Sequence, residues 1–145
     1  MPYDPLLVQP MRDELTRLGV KELLTPADVD AALTEPGTTM VVLNSVCGCA
    51  AGSARPAVAM ALNHSTLPDR TVTVFAGQDV EATQHLRSRY LNQVPPSSPS
   101  IALFKDGELT AIVHRHHIEG RMAETIADAL KNVFDEFCAK EALVA

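Results

Sequence analysis

Two cysteines separated by one glycine, Cys47-Gly48-Cys49, are the residues of this chain best suited to covalent chemistry. The thiolate is the nucleophile in disulfide exchange, and a free cysteine titrates near ~8.5. In C-x-C the two sulfurs can close only a very small ring, so an internal disulfide would be strained and easily reduced. Gly48 eases that strain through its backbone freedom. The pattern suits exchange through mixed disulfides better than stable oxidation. By itself it also allows two buried, inert thiols.

The flanking elements favour reactivity. Met40-Val41-Val42-Leu43 is an apolar run of the kind that forms a strand buried on both faces. Ala50 to Leu62 is alanine-rich and reads as a helix with a small-residue face. The cysteines therefore fall where a strand ends and a helix begins. Unpaired amides and the positive dipole end of that first turn favour a thiolate, Cys47 more than Cys49 because it lies nearer the helix start. Between Pro36 and Pro68 there is no Asp or Glu, although the chain carries 18. Arg55 is the one formal positive charge there, with His64 a second candidate. Arg55 lies roughly 12 Å along the helix from Cys47, beyond a Debye length at physiological salt, so the missing carboxylates matter more than this charge.

Length and composition set the frame. The 145 residues suggest one domain with a real core, and 46% hydrophobic with 21% charged residues is ordinary for a globular protein. A net charge of −6 argues against nucleic acid or an anionic membrane as partner. There is no apolar run near the length of a membrane span and no basic N-terminal segment leading into a hydrophobic one. The expected location is the cytoplasm, where thiols stay reduced and three cysteines are not a disulfide framework.

Taken in order, Met1 to Pro10 reads as irregular. Met11, Leu15 and Leu18 mark a short helix ended by Gly19. Val20 to Leu24 suits a short edge strand, and Thr25-Pro26 opens a helix through Leu33. Pro36-Gly37 turns the chain into the central strand, Thr39 to Asn44. Pro56 should kink the helix after the cysteines. Thr71 to Ala76 is the next strand, and Asp79 can cap a helix to about Tyr90 that carries Ala82, Leu86 and Tyr90 on one side. Ile101 to Lys105 and Leu109 to His114 are strands joined at Asp106-Gly107. The last helix places Met122, Ile126, Leu130, Val133 and Phe137 on one apolar face. The pattern predicts an α/β chain with a central mixed sheet flanked by helices and an additional N-terminal helix.

Asn44-Ser45-Val46-Cys47-Gly48-Cys49-Ala50-Ala51-Gly52, with Ala54-Arg55-Pro56-Ala57 after it, resembles the signature of the bacilliredoxin family. Thr71-Val72-Thr73-Val74-Phe75-Ala76-Gly77-Gln78-Asp79, Pro95-Pro96-Ser97-Ser98-Pro99-Ser100, His114-Arg115-His116 and Ile118-Glu119-Gly120 match it too, so the resemblance spans nearly the whole chain. It implies a thioredoxin-like single domain that removes bacillithiol from cysteines of client proteins, with weak disulfide isomerase activity. On this reading Cys47 attacks the sulfur of the small thiol, and Cys49 or an external thiol resolves the mixed disulfide. The implied partners are bacillithiolated clients, bacillithiol and a disulfide reductase, with no cofactor. The fold also implies that Pro99, directly before the strand Ile101 to Lys105, is a cis-proline bonded to Ser98 and facing the first cysteine. Gly48, Ser98 and Pro99 are accordingly the expected substrate contacts.

Other residues bear on rival chemistries. Dithiol thioredoxins use a buried Asp on the central strand to shuttle a proton, and Met40 to Leu43 offers no carboxylate, which favours monothiol chemistry. Cys138, near the end of the last helix, reads as a passive thiol that could resolve a mixed disulfide only if the C-terminus folded back near Cys47. His114, His116 and His117 read as a solvated strand end, with alternation sending His117 to the opposite face from the other two. A zinc site built on Cys47, Cys49 and Cys138 lacks a fourth ligand and has an unusually small C-x-C bite. The alternative from another class is a metal- or iron–sulfur-binding module using the C-x-C pair.

Overall fold

The computed structural model describes residues 2–139. Their sheet is organised around β2 (Thr38–Asn44), all seven residues of which are buried. Alternation along β2 sends Met40 and Val42 into one apolar cluster and Val41 and Leu43 into the other. Burial on both faces explains an apolar run with no period of two. β2 pairs in parallel with β3 (Arg70–Phe75) and antiparallel with β4 (Ser100–Lys105). β1 (Lys21–Glu22) lies outside β3 and β5 (Glu108–Val113) outside β4, which gives the order β1-β3-β2-β4-β5. This is the mixed sheet expected from the sequence, with Lys21–Glu22 as its short edge strand.

Helices cover both faces. α1 (Pro5–Thr16), α3 (Arg55–Ala61) and α6 (Ala123–Phe137) supply Leu15, Ala57 and Phe134 to the cluster around Met40. α2 (Pro26–Leu33) and α4 (Val80–Tyr90) supply Val29, Leu33, Ala82 and Leu86 to the opposite one. α2 begins as expected: Thr25 Oγ1 accepts the Asp28 N–H at 3.1 Å, with Pro26 in the first turn.

Four details depart from the sequence reading. α1 starts at Pro5, not at Met11, because Asp4 caps it by accepting the Leu6 N–H and Pro5 fits a first helical turn. Pro10 is tolerated inside it on an exposed position, while Val8 and Leu15, two turns apart, face the core. In the stretch after the cysteines, Ala50–Ala54 forms a π-helical turn and α3 begins only at Arg55. Pro56 has no N–H to give to the carbonyl four residues back and its ring crowds it, so the wider turn absorbs the mismatch. In α6 the buried row is Ala123, Ile126, Ala127, Leu130 and Phe134; Met122 is exposed, and Val133 and Phe137 are only partly covered. The helix is rotated toward its alanines, which lets it approach the small residues Ala54, Ala57 and Ala61 closely. Finally, Asp79 holds the N-cap position of α4 but makes no capping bond. Its carboxylate accepts the Phe75 N–H and pairs with Arg12.

The hairpin between β4 and β5 turns at Asp106 (φ 52°) and Gly107 (φ 81°), the double left-handed geometry expected of Asp-Gly. Its tip is tied to the turn that precedes β2: Gly37 N–H donates to Asp106 Oδ1 at 2.7 Å and Asp106 N–H to the Gly37 carbonyl at 2.8 Å. A Cβ on Gly107 would lie 2.8 Å from the Leu33 carbonyl oxygen. Gly107→Ala therefore combines left-handed strain with a backbone clash, and should cost about 2 kcal/mol in urea unfolding. An unchanged midpoint would show that α2 and the hairpin tip are not in close contact.

Candidate active site

The chain leaves β2 through a turn fixed from several sides. Asn44 Oδ1 accepts the Ser45 N–H at 2.9 Å, and Asn44 Nδ2 donates to the Met11 carbonyl of α1 at 3.1 Å. Ser45 Oγ then accepts the Cys47 N–H at 3.2 Å. The Arg55 guanidinium donates through Nη1 to Asn44 Oδ1 (2.9 Å) and the Ser45 carbonyl (3.1 Å), and through Nε to Glu14 Oε2 (2.6 Å). Arg55 is only 4% exposed. It is thus a brace for the turn, directed at backbone and amide oxygens rather than at sulfur. This role was not visible in its linear distance from Cys47.

Cys47 opens the helical segment. Its carbonyl accepts from the Ala50 and Ala51 N–H groups, and its Sγ accepts the Cys49 N–H at 3.4 Å, the bond an N-capping side chain makes. That amide is the largest influence lowering the Cys47 pKa; the Cys49 side chain, the Arg115 charge and the Ala50 N–H act in the same direction against partial burial. Cys49 goes the other way: its pKa is raised, first by its side-chain hydrogen bond with Cys47, then by burial, the Cys47 charge and Glu119. The two thiols are therefore chemically unequal. Gly48 is exposed, with no atom within 4 Å of where a Cβ would stand, so the approach over the cysteines is open.

Ser98 joins Cys47 in lining a groove of about 300 Å³, together with Ser45, Tyr3 and Arg115. The Ser98–Pro99 bond is cis, and Pro99 is buried. Arg115 ties this loop to the next element: its Nη1 donates to the Ser98 carbonyl at 3.2 Å, while its Nε pairs with Glu119. Arg115 is the cation near the sulfurs that sequence reasoning passed over, although it stands within His114-Arg115-His116. The histidines also differ from expectation. β5 ends at Val113 and Arg115–Ile118 makes a single helical turn, so alternation does not apply. The rings of His114, His116 and His117 cluster, with centroids 4.0–5.9 Å apart. His117 Nδ1 accepts the His114 N–H, and burial lowers the His117 pKa.

Cys138 is buried at the end of α6 near Thr38, and burial raises its pKa. Thr38 begins β2 and the cysteine pair follows its other end, roughly 20 Å away along a strand. Cys138 is thus not assembled with Cys47 and Cys49. Among the described residues no group of three or more His, Cys, Asp or Glu side chains is placed to hold a metal ion. Nor is any Asp or Glu among the buried polar residues, so no buried carboxylate stands behind the cysteines as a proton acceptor.

The inequality of the thiols can be read directly. In alkylation with iodoacetamide followed by mass mapping, Cys47 should label at lower pH than Cys49. Arg115→Gln should move the Cys47 midpoint upward. Simultaneous titration of both cysteines, or earlier labelling of Cys49, would contradict the geometry.

Comparison with known proteins bears on the family and the fold. Residues 3–138 match the family model described as Disulphide isomerase. A bacilliredoxin of Salinibacter ruber is 52% identical, covering 98% of this chain and 84% of its own. A bacilliredoxin of Geobacillus kaustophilus is 53% identical, covering 91% of this chain and 90% of its own. Among solved structures, a thioredoxin mutant from Halobacterium salinarum superposes with a TM-score of 0.58 at 18% identity, over 84% of this chain and 93% of that one. Thioredoxin O2 of Arabidopsis thaliana gives 0.58 at 16% identity, over 81% and 96%. The fold is thioredoxin-like, and the chain belongs to the bacilliredoxin family.

Proposed function

We propose that this thiol–disulfide oxidoreductase removes bacillithiol, or a similar low-molecular-weight thiol, from cysteines of client proteins, with Cys47 as nucleophile and Cys49 as resolving thiol. The observation that carries the reading is the Cys49 N–H aimed at Cys47 Sγ, which favours the thiolate on one sulfur only. The relatives' common name, bacilliredoxin, supports the choice of small thiol.

In the first step the Cys47 thiolate attacks the sulfur of the small thiol. The bond between that sulfur and the client breaks, the client leaves as a thiolate, and Cys47 carries the mixed disulfide. The geometry supports a client approaching over Gly48, with Ser98 beside the sulfur. In the second step Cys49 gives up its proton and attacks Cys47 Sγ. This expels the small thiol as a thiolate and leaves a Cys47–Cys49 disulfide, which a dithiol reductase returns to two thiols. An external small thiol can take the place of Cys49, yielding its symmetrical disulfide and free Cys47. In the reduced protein the Cys49 pKa is raised first by its interaction with Cys47, an influence that ends once Cys47 carries the mixed disulfide, so Cys49 is then able to attack from within. Attack of Cys47 on a disulfide within a client gives isomerisation as a weaker second reaction. A cytoplasmic setting, where thiols stay reduced, suits all of these steps.

Intact-mass spectrometry of each variant with a bacillithiolated protein tests the scheme. Cys47→Ser should release no small thiol above background, because a hydroxyl is a poor nucleophile at neutral pH. Cys49→Ala should release it at close to the wild-type rate and accumulate an adduct of one small thiol on Cys47. A Cys49→Ala variant as inactive as Cys47→Ser would show that the first step needs both thiols.

A further inference from the structure

Beside the cysteine groove lies a larger cavity of about 470 Å³, between α4 and the loop that leads to Pro99. Leu43, Leu91, Val94 and Ile112 contribute its apolar lining, with Thr83 and Ser97 among the polar groups. Arg87 and Gly77 line both the cavity and the groove that contains Cys47. The two spaces are thus adjoining, and Arg87 stands where they meet.

The state of Arg87 is unusual. Its Nε is buried and has no hydrogen-bond partner. Nη2 donates only a long bond, 3.3 Å, to the Ser97 carbonyl. Arg12, Arg55 and Arg115 each have a carboxylate in ion-pair contact; Arg87 has none among the described residues. Burial accordingly lowers its pKa. A guanidinium partly withdrawn from water and left without a counter-charge is costly unless an anion arrives. Among the described residues no Asp or Glu lines either space, although the chain carries 18 of them and a net charge of −6. The region next to the nucleophile is therefore locally cationic on an acidic protein.

We propose that this cavity is the subsite for the small thiol itself, and that Arg87 selects thiols bearing a carboxylate several bonds from their sulfur. The inference rests on the de-thiolation reading above and names the part of the substrate that the protein recognises. With the sulfur at Cys47, the body of the small thiol extends past Ser98 into the cavity, and its carboxylate meets the free N–H groups of the guanidinium. A cavity of this size is in the range that holds a small ligand, and a planar guanidinium fork matches a carboxylate bidentately. Arg115 is committed to Glu119 and the Ser98 carbonyl, which leaves Arg87 as the unsatisfied cation.

Two measurements test this. The first is binding, with reduced wild type and Arg87→Gln titrated with S-methyl bacillithiol, an unreactive thioether whose malate carries the carboxylates. A companion titration uses the same thioether with the malate replaced by a methyl group. Wild type should prefer the malate compound, and Arg87→Gln should lose about tenfold in affinity for it alone, the value of one charge-assisted contact. Arg87→Lys should recover part of the loss. The second is release from one client protein carrying either bacillithiol or cysteamine. Arg87→Gln should slow release of bacillithiol and leave release of cysteamine unchanged. Equal binding of both thioethers by wild type would overturn the proposal, as would equal slowing of both adducts, which would mean that Arg87 supports the fold or the client. If wild type prefers the malate compound yet releases bacillithiol from no client, the subsite stands and the de-thiolation reading falls. If release proceeds and Arg87→Gln matches wild type in both assays, the reverse holds.

Discussion

The buried guanidinium of Arg55 is the contact on which the site depends. Taking a cation out of water costs several kcal/mol unless it is paired and fully hydrogen-bonded. Here Glu14, Asn44 and the Ser45 carbonyl satisfy it together, joining α1, the end of β2 and the start of α3 at one point. The partners are mutually dependent, since Asn44 also holds the Met11 carbonyl and the Ser45 N–H. Removing any one leaves buried polar atoms unmatched, which costs more than the lost bond itself. The N-terminal helix is therefore part of the redox turn's support and not an appendage to the sheet.

This support decides what the two sulfurs can do. With Ser45 receiving the Cys47 N–H and the Ala50 and Ala51 amides bonded to the Cys47 carbonyl, the first turn is held so that the next free amide, that of Cys49, faces Cys47 Sγ. One thiol collects the amide and the Arg115 charge, and its neighbour is left beside a developing negative charge. Inequality between identical residues two positions apart thus follows from backbone direction. Glu119 adds to it by raising the Cys49 pKa further.

Much of this was legible in the sequence, and the misses have physical causes. β2, the Thr25-Pro26 helix start and the Asp106-Gly107 hairpin are local signals, written in burial on both faces, a cap and left-handed turn residues. The resemblance to bacilliredoxins carried the fold, and it carried the cis bond at Ser98–Pro99. What local patterns could not supply is long-range pairing. Arg55 was weighed by its distance along the helix from Cys47, whereas its effect comes from Glu14, forty-one positions away. Asp79 looked like a cap because nothing near it in sequence predicts Arg12. Arg115 was hidden by treating His114 to His117 as strand, when β5 had already ended. Met122 and Phe134 exchanged places because the alanine positions, and not the largest side chains, set the rotation of α6.

The comparison with thioredoxins sharpens the chemical point. At 16–18% identity those structures establish the scaffold alone. In this chain the central strand is filled by Met40, Val41, Val42 and Leu43, packed into both clusters, and no Asp or Glu is buried among the described residues. A second thiol that must lose its proton to resolve a mixed disulfide finds no internal base behind it. On the proposed scheme Cys49 must then pass its proton to solvent as it attacks Cys47 Sγ and expels the small thiol as a thiolate. The first exchange suffers no such restriction, because Cys47 is already favoured as the anion. The apolar middle of β2, Met40 to Leu43, packed on both sides, thereby leaves the cysteine pair without a buried carboxylate among the described residues, and backbone amides with Arg115 set the Cys47 pKa instead.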